Sequence, residues 1–188
     1  TLFPYTTLFR SGYANGLTKT EKKIRNYVEK HSDEAINLLE KVVNINSGSL
    51  NIEGNRKVGK IFQRELDKLG FRTYWVTYPD SIKRSGHLFA EMRGGKGKKV
   101  VMIGHLDTVF ELDHPFQQFS RDGNTAYGPG VADMKSGDVS LVYTMKALHH
   151  IDALKDMDLT LVFIGDEEKL GAHSSIVRKE LISAGKWA

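Results

Sequence analysis

Ten residues constrain this chain more than any others: Val100-Val101-Met102-Ile103-Gly104-His105-Leu106-Asp107-Thr108-Val109. An apolar run of strand type halts at a glycine, and a His-x-Asp pair follows at once. With no polar alternation, the run predicts a central strand over Lys99–Gly104, buried on both faces of a parallel sheet. Open parallel sheets bind ligands beyond the carboxyl ends of their strands. His105 and Asp107 therefore fall where such a fold does its chemistry, aimed the same way if strand geometry persists. A neutral imidazole holds a metal through one nitrogen, and its other nitrogen then wants a carboxylate. Asp107 is placed to supply it, or to steady a neighbouring ligand. Taken alone, the pair fits a strand-end histidine held in a turn better than a metal site. Two later stretches reverse that weighting.

The first is Gly128-Pro129-Gly130-Val131-Ala132-Asp133-Met134-Lys135-Ser136-Gly137, a glycine-rich turn that opens a helix of about four turns carrying Val139, Leu141, Val142, Met145 and Leu148. His149 and His150 end that helix, which is ordinary placement for cations near a C-terminus. The second is a wholly apolar strand over Leu159–Gly165 that runs into Asp166-Glu167-Glu168. Three adjacent carboxylates repel one another unless a cation or protons neutralise them. In a doubly wound sheet all three turns converge on one crevice.

The remaining elements follow local rules. Thr18-x-x-Glu21 has the form of a capping box opening a first helix. Ser32 is expected to cap a second, with Ile36, Leu39, Val42 and Val43 inward. Asn46-Ser47-Gly48-Ser49 is a loop. A third helix is expected over Asn55–Leu69, closed by Gly70. Phe71–Tyr78 and Leu88–Met92 predict strands. Gly94-Gly95-Lys96-Gly97-Lys98-Lys99 resembles a phosphate loop only superficially. Its glycine spacing is wrong and no Ser or Thr follows the lysine, so a tight hairpin between strands is expected. A short hairpin is expected over Phe119–Tyr127 and a last helix over Ser174–Ser183. Residues 1–11, TLFPYTTLFRS, resemble the translation of a sequencing-adapter oligonucleotide. They lack the basic start and small-residue cleavage site of a signal peptide, and they are expected to be an artefact without order.

Composition removes several classes. The 188 residues are 40% hydrophobic and carry a formal charge of +4. That suits a domain with a real core and argues against a nucleic-acid partner, because Lys and Arg form no long block. No apolar run approaches the ~20 residues that span a membrane. There is no cysteine, so any metal must be held by His, Asp and Glu. A histidine with several carboxylates suits zinc or a similar divalent ion. Compartment stays undecided, cytoplasmic or exported.

Gly104-His105-Leu106-Asp107-Thr108-Val109, then Tyr127-Gly128-Pro129-Gly130-Val131-Ala132-Asp133-Met134-Lys135-Ser136-Gly137, then Asp166-Glu167-Glu168-Lys169 resemble, in order and spacing, a zinc peptidase family. It includes glutamate carboxypeptidase, acetylornithine deacetylase, succinyl-diaminopimelate desuccinylase, aminoacylase and several dipeptidases. The glutamate carboxypeptidase branch is the nearest in spelling. The resemblance implies an α/β three-layer sandwich with a mostly parallel central sheet, and makes residues 12–188 the N-terminal part of a catalytic domain. It implies a centre of two zinc ions. His105 binds one, Glu168 binds the other, and Asp133 bridges both. Glu167 is the general base, and Asp107 supports His105 from behind. The implied reaction releases a C-terminal amino acid such as glutamate from a peptide or N-acyl amino acid. Deacylase or dipeptidase action is the alternative within the family. A non-catalytic metal-binding or interaction module is the alternative outside it, and the presence of Glu167 counts against that. A nucleotide-binding protein is disfavoured, since no Gly-x-Gly-x-x-Gly follows the first strand.

The family also has a further acidic ligand, a late histidine ligand and an inserted lid domain used for homodimerisation. None is in this sequence, so a fragment truncated at both ends is expected, with weak zinc binding and negligible hydrolysis of its own.

Overall fold

The computed structural model describes residues 16–171 and 174–188. The adapter-like stretch lies outside them. Helices α1 (Lys19–Lys30), α2 (Ser32–Val43) and α3 (Ile52–Asp67) lead into strands β1 (Arg72–Val76), β2 (His87–Arg93) and β3 (Lys96–His105). A small hairpin follows, β4 (Ser120–Asp122) with β5 (Thr125–Tyr127). The kinked turn Val131–Lys135 then opens α4 (Ser136–His150), and β6 (Met157–Ile164), α5 (Ser174–Val177) and α6 (Lys179–Trp187) complete the chain.

The main sheet has the order β1-β2-β6-β3. It is mixed: β1–β2 and β2–β6 are antiparallel, and β3–β6 is parallel. Its two faces separate cleanly, because side chains alternate along a strand. Leu88 and Ala90 of β2 and Leu159, Leu161 and Phe163 of β6 face Val42, Val58, Phe62, Leu66, Val142 and Met145 from the helices. Phe89, Val162 and Ile164 face the other way, toward Leu181 and Ala184 of α6. Helices thus cover both sides of the sheet, the larger core lying under α2, α3 and α4. Among the described residues no helix is long and apolar enough to cross a membrane.

Several expectations are corrected. The run Val100–Ile103 is an edge strand here, with Ile103 52% exposed, and β6 is the strand buried on both faces. The connection Gly94–Gly95 joins β2 to β3 without making a hairpin of them, because β6 inserts between the two. Gly94 permits this crossing: a Cβ there would stand 2.2 Å from the backbone carbon of Asp156. Helix α3 begins three residues early because the Asn51 side chain accepts from the Gly54 backbone N–H. That places Asn55 inside the helix, fully buried. Ser32 is the first residue of α2 rather than its cap, and its hydroxyl donates back to the Glu29 carbonyl of α1. The last helix is broken at Arg178 into α5 and α6.

Candidate metal centre

The parallel pairing of β3 with β6 builds the site. His105, the last residue of β3, is registered against Ile164, the last residue of β6. The two chain segments beyond these ends, Leu106–Thr108 and Gly165–Glu168, therefore leave the sheet side by side. Asp107 ties them together. Its carboxylate is fully buried, and its Oδ1 and Oδ2 accept the backbone N–H groups of Glu167 and Glu168, each at 3.0 Å. Ser49 donates to Oδ2 at 2.6 Å. Burial works against the charged form of Asp107. The His105 ring, the Ser49 hydroxyl and the two backbone donors outweigh it and hold the carboxyl below its usual range.

His105 Nδ1 lies 3.0 Å from the Asp107 backbone carbonyl and 3.5 Å from Asp107 Oδ1. Its Nε2 is 2.9 Å from Asp133 Oδ1 and 4.0 Å from Glu167 Oε2. Burial alone would lower the imidazole pKa, but Asp107 and Asp133 reverse that and raise it to about 10. This corner of the fold favours a cation strongly enough to protonate the ring. Once that proton leaves, Nε2 offers its lone pair while Nδ1–H remains on Asp107, the arrangement of a metal-binding histidine.

Asp133 comes from the kinked turn ahead of α4, and its side chain is 75% exposed. The turn is anchored by Lys135, fully buried, whose ammonium donates to the Val42 and Ile45 carbonyls at the C-terminal end of α2. Burial lowers the Lys135 pKa to about 8. His105, Asp133 and Glu168 each present one donor atom, and these atoms lie within 4.8 Å of one another. Burial, and then the Asp133 carboxylate, raise the Glu168 pKa. One imidazole nitrogen and two carboxylates around a point where negative charge is crowded form a donor set that fits zinc or another divalent ion.

Asp166 is not part of this cluster, contrary to the expectation that three adjacent acids would share one charge problem. It turns inward, fully buried, and accepts from Arg178 at 2.8 Å and from the Gly171 N–H at 3.4 Å. Glu167, by contrast, is 52% exposed at the mouth of the site. Asp138, in the first turn of α4, is fully buried with neither oxygen hydrogen-bonded. Its carboxyl packs so close to Gly104 that a Cβ there would meet Oδ1 at 2.0 Å. This contact requires a glycine at the strand position just before the histidine. Sequence reasoning gave no role to Ser49, Lys135, Asp138 or Arg178. Lys135 was legible only as a neighbour of Asp133, and Ser49 only as part of a loop.

Comparison with known proteins finds relatives in sequence and in fold. Residues 101–185 match the model for peptidase family M20/M25/M40. Carboxypeptidase G2 of Pseudomonas sp. is 30% identical over 166 residues, which cover 85% of this chain and 39% of that protein. This chain thus spans about two fifths of that relative. Among solved structures, human carnosine dipeptidase 1 superposes with a TM-score of 0.70 at 20% identity, over 88% of this chain and 38% of that one. An M20 family metallo-carboxypeptidase from Sulfolobus solfataricus superposes at 0.59 and 22% identity, over 72% and 31%. Both are likenesses of fold.

Proposed function

We propose that this chain, which belongs to peptidase family M20/M25/M40, carries the metal-holding part of a zinc-dependent exopeptidase of carboxypeptidase type. The complete protein would release a C-terminal amino acid, such as glutamate, from a peptide or N-acyl conjugate. The observation that carries the reading is the convergence of His105, Asp133 and Glu168 within 4.8 Å, with Glu167 at its mouth. Membership of the family makes the protein a hydrolase. The likeness to carboxypeptidase G2 supports the carboxypeptidase type.

In this reading His105, Asp133 and Glu168 would be the residues that hold zinc. A second ion needs donors that the described residues do not bring to Asp133. The resemblance puts these, with a dimerising lid, in segments outside this sequence. Bound zinc would supply a Lewis acid that polarises the scissile carbonyl and makes water acidic near neutral pH. Glu167 then has a defined task. Half-exposed beside the cluster, it accepts the proton of the attacking water and returns it to the departing nitrogen. Asp107 holds the His105 ring through its backbone carbonyl, with Oδ1 close by, and the Glu167–Glu168 backbone through both carboxylate oxygens, so base and ligand keep a fixed separation.

The test is Glu167→Ala in the complete protein, assayed on a peptide ending in glutamate. Turnover should fall by at least about 100-fold, the range set for general acid–base groups, with zinc content unchanged. Turnover near that of the unaltered protein would remove Glu167 as the base.

A further inference from the structure

We propose that Ser49 is a positioning residue of this centre: its hydroxyl fixes the Asp107 carboxylate and through it sets where His105 and Glu168 present their donor atoms. The proposal rests on the metal-centre reading above. Ser49 is 1% exposed, and its Oγ reaches Asp107 Oδ2 at 2.6 Å, the length of a charge-assisted O–H···O contact. The same Oδ2 accepts the Glu168 N–H, and Oδ1 accepts the Glu167 N–H while lying 3.5 Å from His105 Nδ1. The terminal torsion of an aspartate is broad, so the carboxylate turns easily unless its oxygens are held. Turning it would move the Glu168 backbone and loosen the His105 ring together.

The loop that delivers Ser49 is itself clamped. The Thr108 N–H donates to the Ser47 carbonyl at 2.9 Å, and Gly48 and Thr108 form an isolated parallel bridge beyond the end of β3. Ser47 Oγ donates to the Leu106 carbonyl at 2.8 Å. From α3, the buried Asn55 side-chain amide donates to the Gly48 carbonyl at 2.9 Å. The hydroxyl is thus offered to Asp107 from a rigid frame, and three chain segments far apart in sequence meet on one carboxylate.

Ser47 provides the control. It sits in the same loop, is fully buried and donates one hydrogen bond, to the Leu106 carbonyl and not to the Asp107 carboxylate. Ser49→Ala and Ser47→Ala are compared in the complete protein, by zinc affinity against a chromophoric chelator, by the visible spectrum of bound Co²⁺ and by thermal midpoint. Both should lower the midpoint. Only Ser49→Ala should weaken zinc, by about tenfold, the lower end of the effect of groups that orient metal ligands, and only it should alter the cobalt spectrum. If Ser49→Ala does not fold, Ser49→Cys, a weaker donor, should show a smaller loss of the same kind. Unchanged affinity and spectrum on losing the Ser49 hydroxyl, or equal weakening by Ser47→Ala, would overturn the proposal. Failure of the unaltered complete protein to bind zinc would instead remove the centre on which it depends.

Discussion

Oδ2 of Asp107 lies 3.0 Å from the backbone nitrogen of Glu168. That contact joins the end of β3 to the turn after β6 across 61 residues of sequence, and it converts two strand ends into one site. An aspartate that reads as a partner of its neighbouring histidine is equally a backbone clamp for the acidic turn.

Asp107→Asn tests the clamp. An amide keeps one acceptor oxygen, and its NH₂ would face the N–H of Glu167 or Glu168. We expect a stability loss of about 1–3 kcal/mol, the usual penalty for an unsatisfied buried group. Zinc affinity should fall by roughly 10- to 100-fold. Urea titration and chelator competition measure the two effects. Zinc affinity equal to that of the unaltered chain would show that the turn holds its shape without the charge.

Asp138 makes stability depend on pH. Burial, unrelieved by any hydrogen bond, raises its pKa well above 3.8 in the folded chain. A carboxyl raised on folding binds protons more tightly in the native state. Its destabilising effect is therefore absent below the unfolded pKa and grows as pH rises toward the folded one. Asp138→Asn should match the unaltered chain near pH 4. At pH 8 it should be more stable, by more than the roughly 0.5 kcal/mol of an ordinary surface change. Thermal melts across that range decide it. A stability difference that stays flat with pH would mean that folding does not shift the Asp138 pKa.

At the break between α5 and α6, the Arg178 guanidinium meets Asp166. Arg178→Met would leave a fully buried carboxylate without its cation, at a cost of about 3 kcal/mol. Adding Asp166→Asn should recover much of that, since removing both charges of a buried pair is far less costly than removing one. Chemical denaturation of the single and double variants reads this directly. A double variant no more stable than Arg178→Met would show that the pair's charge is not what matters.

Local chemistry was legible without coordinates where it depends on neighbours in sequence. Thr18 and Glu21 exchange the two hydrogen bonds of a capping box. Val58, Phe62 and Leu66 face the core at helical spacing, and Gly123 turns a hairpin between Ser120 and Tyr127. Spelling and order also named His105, Asp133 and Glu168, whose donor atoms the fold brings together. What was misread depends on distant partners. Val100–Ile103 has the composition of an interior strand but lies at an edge, because burial belongs to the sheet order and not to the run. Asp166 looks like its neighbours Glu167 and Glu168, yet Arg178 draws it to the other side of the turn.

The sequence by itself therefore determined the helices, the strands and the donor types, since backbone preference and apolar periodicity act over a few residues. Only the tertiary structure decided that β6 lies between β2 and β3, and that Ser49, Asp107 and Glu168 share one buried carboxylate. A buried charge must find its hydrogen bonds wherever the fold brings donors, and no pattern along the chain records which donors those will be.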